Sequence, residues 1–247
     1  MIETKKLLNI DQNAKTKKGQ KKGYLTGILY LAPANISGHE VCPNRSPGCT
    51  DACLYSAGRG VYSSVQESRI RKTKMFFEDR KAFMALLEKD IAAGIRKAKR
   101  MGLKFVVRLN GTSDLAFENF GIMEKFPNTK FYDYTKNPFR MTKYLTGKMP
   151  KNYSLTFSLS ETNMDLALDV LSKGGNVAMV FATKDASKFP TTYKGYKVVS
   201  GDETDLRFLD KKNSIVALIT KGDAIYDKTG FVQSLTEEGS EPLVGNA

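Results

Sequence analysis

The stretch GYLTGILYLAPANISGHEVCPNRSPGCTDAC, residues 23–53, joins a strand-like run to a cluster of thiols. Gly23 to Ala34 is rich in apolar and aromatic residues and stops at a proline, which is how a buried strand reads. Cys42, Cys49 and Cys53 follow, the only cysteines in the chain, separated by six and then three residues. Pro43, Pro47, Gly48, Gly58 and Gly60 place bends between and after them, so the segment is expected as a loop rather than a helix or strand.

Outward from this stretch the same alternation continues. Residues 64–101 carry helical spacing, with apolar Phe76, Phe83, Leu87, Ile91 and Ile95 before a stop at Gly102, and they read as one helix or two. Further strand-like runs begin at Lys104, Thr129, Asn152, Asn176, Tyr196 and Asn213. Helical or loop segments separate them, as after Pro138 and from Thr162 to Lys173. Repeated β then α predicts an α/β fold on a parallel sheet, open or closed into a partial (β/α) barrel. The expected organisation is a basic N-terminal arm (1–22), one barrel-like domain with the cysteine loop (23–227), and a polar C-terminal tail (228–247).

In such a fold the loops after the strands converge on one mouth. Cys42, Cys49 and Cys53 stand there after the first strand, Arg108, Asn110, Ser113 and Asp114 after the next, and Asp202 after a later one. Three clustered thiols point to a soft metal centre, because scattered packing cysteines have no reason to gather in twelve positions. An odd number argues against a disulfide framework. Two readings remain open from the residues. One is a tetrahedral zinc with His39, the sole histidine, as fourth ligand. The other is a [4Fe-4S] cluster on three thiolates, leaving one iron free for a small molecule. With His39 the only histidine, a histidine-based triad is not expected, and no P-loop or GxGxxG run stands between a strand and a helix.

The net charge is +13, concentrated early. Residues 1–22 hold seven lysines against Glu3 and Asp11, and residues 67–104 hold twelve basic against five acidic side chains. This basic half, including RIRKTK at Arg69 to Lys74, is expected to contact the phosphates of DNA or RNA. No stretch is apolar enough to cross a bilayer and no signal core is evident, so no membrane partner is expected.

The runs CPNRSPGCTDACLYSAGRG, RIRKTKMFF, GDETDLRFLD and TKGDA resemble the gene product 88-like proteins of bacteriophages, over about Gly23 to Ala224. That resemblance implies a phage setting, the host cytoplasm and phage or host protein partners, without implying a reaction. The cysteine loop and βα alternation are also similar to the radical S-adenosylmethionine (SAM) superfamily. This likeness implies a partial barrel with Cys42, Cys49 and Cys53 on a [4Fe-4S] cluster and SAM as a further cofactor. Arg108, Asn110, Ser113, Asp114 and Asp202 would then contact SAM or substrate. The spacing differs from that superfamily's three and two, Ala52 replaces the usual aromatic residue, and Asn110 to Asp114 stand where a Gly-Gly-Glu run is usual. Three functions follow as alternatives: an iron–sulfur protein acting with nucleic acid in phage replication, transcription or packaging; a radical SAM-like enzyme modifying nucleic acid or protein; and a zinc-binding (Cys3His) structural or DNA-binding protein.

Overall fold

Each of the seven strand-like runs is a strand in the computed structural model, which describes residues 4–10 and 14–236. They are β2 (Tyr24–Leu29), β3 (Lys104–Arg108), β4 (Lys130–Thr135), β5 (Tyr153–Ser158), β6 (Val177–Phe181), β8 (Tyr196–Ser200) and β9 (Ser214–Ile219). Three short strands join them: β1 (Leu8–Ile10), β7 (Thr192–Tyr193) and β10 (Val232–Gln233). The sheet runs β1-β2-β3-β4-β5-β6-β9-β8-β7 and is parallel from β2 through β8. Its edges, β1 and β7, pair antiparallel with their neighbours, and the sheet does not close on itself. The molecule is therefore a mixed α/β protein on an open, mostly parallel sheet.

Strand side chains alternate between the two faces. One face carries Phe105, Val107, Phe131, Leu155, Phe157 and Met179, packed in one core with helix residues such as Phe83, Leu87, Ile91 and Leu171. Of the one helix or two read from periodicity, the structure has two, Ser63–Glu78 and Arg80–Arg100. The break falls at Asp79, whose side chain accepts a hydrogen bond from Ala82 N and starts the second helix. On the opposite face Tyr24, Val106 and Tyr132 pack against Leu206 and Phe208, so the chain after β8 folds back across the sheet.

Both ends of the chain enter the fold further than expected. Within residues 1–22, β1 pairs with β2 and a helix spans Ala14–Gln20. Asp90 accepts Leu7 N and Leu8 N at 2.6 and 3.0 Å, and Lys72 Nζ donates to Leu7 O at 2.8 Å. At the other end, β5 stays paired with β6 only through Ser158 and Ala178, and β10 takes its place beside Val180 and Phe181. Residues 237–247 of the expected tail lie outside the described residues.

Within RIRKTK, Lys74 is exposed and Arg71 partly so, whereas the other two cations turn inward. Arg69 and Lys72 are buried with internal partners, and burial holds both below their ordinary pKa, Lys72 at about 8. They tie helix to loop and strand, because a buried cation needs local acceptors and is not offered to phosphate.

Candidate functional site

The cysteine segment is more ordered than a loop. Pro47–Asp51 forms a short helix holding Cys49, with Pro47 at its first position and Ser46 as cap, its Oγ accepting Cys49 N at 3.2 Å. Glu161, just beyond β5, accepts from Ser46 Oγ at 2.6 Å and from Gly48 N at 2.7 Å. Burial pushes its carboxyl up, but these two hydrogen bonds prevail and hold it below the usual range. Gly48 has to be glycine for space, since a Cβ there would lie 2.9 Å from Phe231 Cβ.

Cys42 is anchored differently. Asp114 N donates to Val41 O at 2.8 Å, Gly111 N to Leu29 O at 2.9 Å and Thr112 Oγ1 to Leu31 O at 2.6 Å, lacing the loop after β3 onto the end of β2. Cys42 Sγ sits 3.9 Å from Thr112 O. Burial, with Asp114, Cys49 and Cys53 nearby, pushes the Cys42 thiol up to about 12. Burial also raises Cys53, against the fields of Arg69 and Lys136.

The three thiols line one cavity of about 250 Å³ at the C-terminal ends of the parallel strands. Arg108, Asn110, Ser113 and Asp114 line it too, so four of the five polar residues expected at the mouth meet the cysteines. Asp202 does not belong to the wall. It accepts Ile219 N at 2.9 Å and pairs with Lys221 Nζ at 3.0 Å, thereby positioning a lysine that does. His39 is also placed elsewhere: its ring stacks on Phe77, centroids 4.6 Å apart, with Nε2 3.9 Å from Glu78. Among the described residues, no group of three or more His, Cys, Asp or Glu side chains converges closely enough to hold a metal ion.

The polar wall is braced from behind. Asn110 Oδ1 accepts Ser113 Oγ at 2.8 Å and Leu115 N at 2.9 Å, while Asn110 N donates to Asp133 Oδ1 at 2.7 Å. Asp114 accepts Lys136 N at 2.9 Å and pairs with buried Arg140, which also grips Glu118 at 2.8 Å. Arg140 Nη2 donates to Tyr153 OH at 2.8 Å, and that hydroxyl donates to Asp133 at 2.9 Å. Burial pushes Asp133 up to about 7 despite these hydrogen bonds and the nearby arginines.

Residues that sequence reasoning did not assemble complete the cavity. Arg108 reaches across the sheet to Asp205 at 3.0 and 3.2 Å, with its guanidinium 4.6 Å from the centroid of the Tyr134 ring. Lys136 donates to Ser158 Oγ at 2.9 Å. Ala52, Val180, Leu218, Ile219 and Phe231 supply an apolar side. Lys136, Asp205 and Lys221 stand in the segments that follow β4, β8 and β9, whereas Phe231 carries no local signal because it arrives with the returning C-terminal segment. A family model described as Gene product 88 matches residues 5–235, and no curated protein and no solved structure matches significantly.

Proposed function

From the premise that the chain belongs to the bacteriophage gene product 88 family, matched across all ten strands, we propose that Cys42, Cys49 and Cys53 hold a [4Fe-4S] cluster. On this reading one iron is left without a protein ligand, and the adjoining cavity admits SAM, as in a radical SAM-like enzyme built on a partial barrel. The observation that carries the reading is the meeting of three thiols and no histidine at one cavity on the C-terminal side of a parallel sheet. A zinc site would need a fourth ligand, and His39, stacked on Phe77, is not in the cavity wall, whereas a cluster held by three thiolates needs no histidine.

When bound, such a cluster supplies one electron to a ligand at its open iron. The protein's own residues do the rest. The Glu161 and Ser46 clamp fixes Cys49, and the lacing of Gly111, Thr112 and Asp114 fixes Cys42. Asp114, Lys136 and Lys221 present charges of both signs to a ligand that carries both an amine and a carboxylate. Val180, Leu218 and Phe231 exclude water from one side, which strengthens those contacts.

Anaerobic purification followed by iron, sulfide and zinc analysis tests the reading, with visible spectra taken with and without SAM. The expected result is about four irons and four sulfides per chain, a spectrum that responds to SAM, and loss of both in Cys49→Ser. Stoichiometric zinc without sulfide would overturn it.

A further inference from the structure

The end of the sheet opposite the cysteines is predominantly basic. A lysine stands at or just before the entry to each of six parallel strands: Lys22 (β2), Lys104 (β3), Lys130 (β4), Lys151 (β5), Lys173 (β6) and Lys212 (β9). All but the half-buried Lys130 are exposed, and Lys173 is tied to Asp169 at 2.7 Å. In the connecting segments 21–23, 101–104, 126–130, 146–152, 173–176 and 210–213 the one acid is Asp210, which faces Arg207 from a largely buried position, while exposed Glu124 and Asp169 stand in the helices that lead into β4 and β6. At the other end Asp51, Asp202, Asp223 and Asp227 interleave with the cations.

Helix dipoles account for part of this, because a helix C-terminus favours a nearby cation. They do not account for its size. A dipole presents about half a negative charge. Yet Lys17, Lys18, Lys21 and Lys22 gather at the entry to β2, and Lys97, Lys99, Arg100 and Lys104 at the entry to β3. These two entries are adjacent, since Tyr24 and Lys104 are register partners. The excess is a contiguous basic face.

We infer that this face binds the phosphate backbone of a nucleic acid, on the side of the sheet away from the cysteine cavity. Closely spaced exposed lysines on adjacent strand entries match a repeating anion, and binding gains from counterion release. A lipid surface is the weaker match. The large exposed apolar side chains near these entries are Met101 and Leu209, well short of the continuous apolar face that interfacial insertion needs. The inference does not rest on the cluster, and it separates where nucleic acid is held from where small-molecule chemistry would occur.

Fluorescence anisotropy with labelled single-stranded and duplex DNA and RNA, between about 50 and 200 mM salt, tests it against matched charge reversals at the two ends. Lys22→Glu with Lys104→Glu should weaken binding at least ~10-fold and flatten the salt dependence by about two counterions. Arg59→Glu with Lys228→Glu, exposed at the cysteine end, should stay within ~3-fold of wild type. Lys22→Gln with Lys104→Gln, checked for an unchanged melt, guards against misfolding and should give about half the loss. The Cys42→Ser, Cys49→Ser, Cys53→Ser variant should bind as wild type does, whatever becomes of the cluster. Equal losses from both ends, no nucleic-acid binding at low salt, or binding to phosphatidylserine vesicles in its place would each overturn the inference.

Discussion

Replacing Arg140 with Met removes a cation on which several groups depend. Arg140 donates to both oxygens of Glu118 at 2.8 and 3.0 Å, to Tyr153 OH at 2.8 Å and to Asp114. The side chains of Arg140 and Glu118 are each 6% exposed and that of Asp114 is 11% exposed, so water would compensate little for the loss. Breaking such a group from one side costs about 3–5 kcal/mol, because the remaining carboxylates keep their desolvation and lose their counter-charge. For a chain of this size that lowers the melting temperature by about 6–20 °C, a large share of a stability of about 5–15 kcal/mol. Thermal and urea unfolding followed by circular dichroism measure it. Adding Glu118→Gln to Arg140→Met removes one orphaned charge and should recover about 1–3 kcal/mol. A single variant melting within about 2 °C of wild type, or a double variant no more stable than the single, would refute the account of Arg140 as the brace behind Asp114.

The remaining predictions concern neighbouring parts of the frame. Asp133, held up to about 7 by burial, binds its proton more tightly folded than unfolded. Its stabilisation is therefore full below about pH 4 and is lost as pH rises towards 7, on the order of 4 kcal/mol in all. Asp133→Asn should flatten the pH dependence of urea stability across that window, and an unchanged slope would count against it. Lys72→Met removes the donor to Leu7 O and should cost about 1–3 kcal/mol, read as faster amide hydrogen exchange in β1; exchange at the wild-type rate would mean that Asp90 suffices. Glu161→Ala frees Ser46 and Gly48 and should speed labelling of Cys49 by a thiol reagent roughly 10-fold or more. Because Glu161 is half exposed, the melting temperature should change little, and unchanged labelling would remove its role as a clamp.

The strands were legible because β2, β3, β4, β5, β6, β8 and β9 are short runs rich in β-branched and aromatic residues and bounded by turn signals. β1 hid in a lysine-rich segment, since Leu7, Leu8 and Asn9 are held there by Asp90 and Lys72 from distant helices. β7 and β10 are two residues each and have no periodicity to read. The insertion of β9 between β6 and β8 is a choice of partner, set by tertiary packing, and leaves no local trace. The same division holds at the site. Arg108, Asn110, Ser113 and Asp114 were found because strand ends converge, whereas Arg140 looks like any helical arginine until the fold brings Glu118, Asp114 and Tyr153 around it. Asp202 was misplaced by one step, because strand-end position does not distinguish a wall residue from the partner of one.

What limits the cavity is the segment after β8. A parallel sheet curved over its inner face encloses more space the nearer its edges approach, yet here Leu206 and Phe208 fill the lower part of that space against Tyr24, Val106 and Tyr132. The same segment brings Asp205 to within 3.0 Å of Arg108, a pair in which the Asp205 side chain is 7% exposed and that of Arg108 16%. It thereby joins β3 to the far side of the sheet without a hydrogen-bonded closure. The pair also marks the side of the cavity next to Leu206 and Phe208, its floor, since Arg108 and Asp205 line it and those two residues do not. A ligand small enough to enter meets the thiols and the floor together. Anything longer has to extend past Leu54, an exposed residue of the cavity wall. Arg108→Met should consequently act twice, leaving Asp205 a buried uncompensated carboxylate at a cost of about 3–5 kcal/mol, and opening the floor to ligands that the wild-type cavity turns away. If Asp205→Asn added to Arg108→Met restored stability while the floor stayed shut to longer ligands, Leu206 and Phe208 alone would be setting the depth of the cavity.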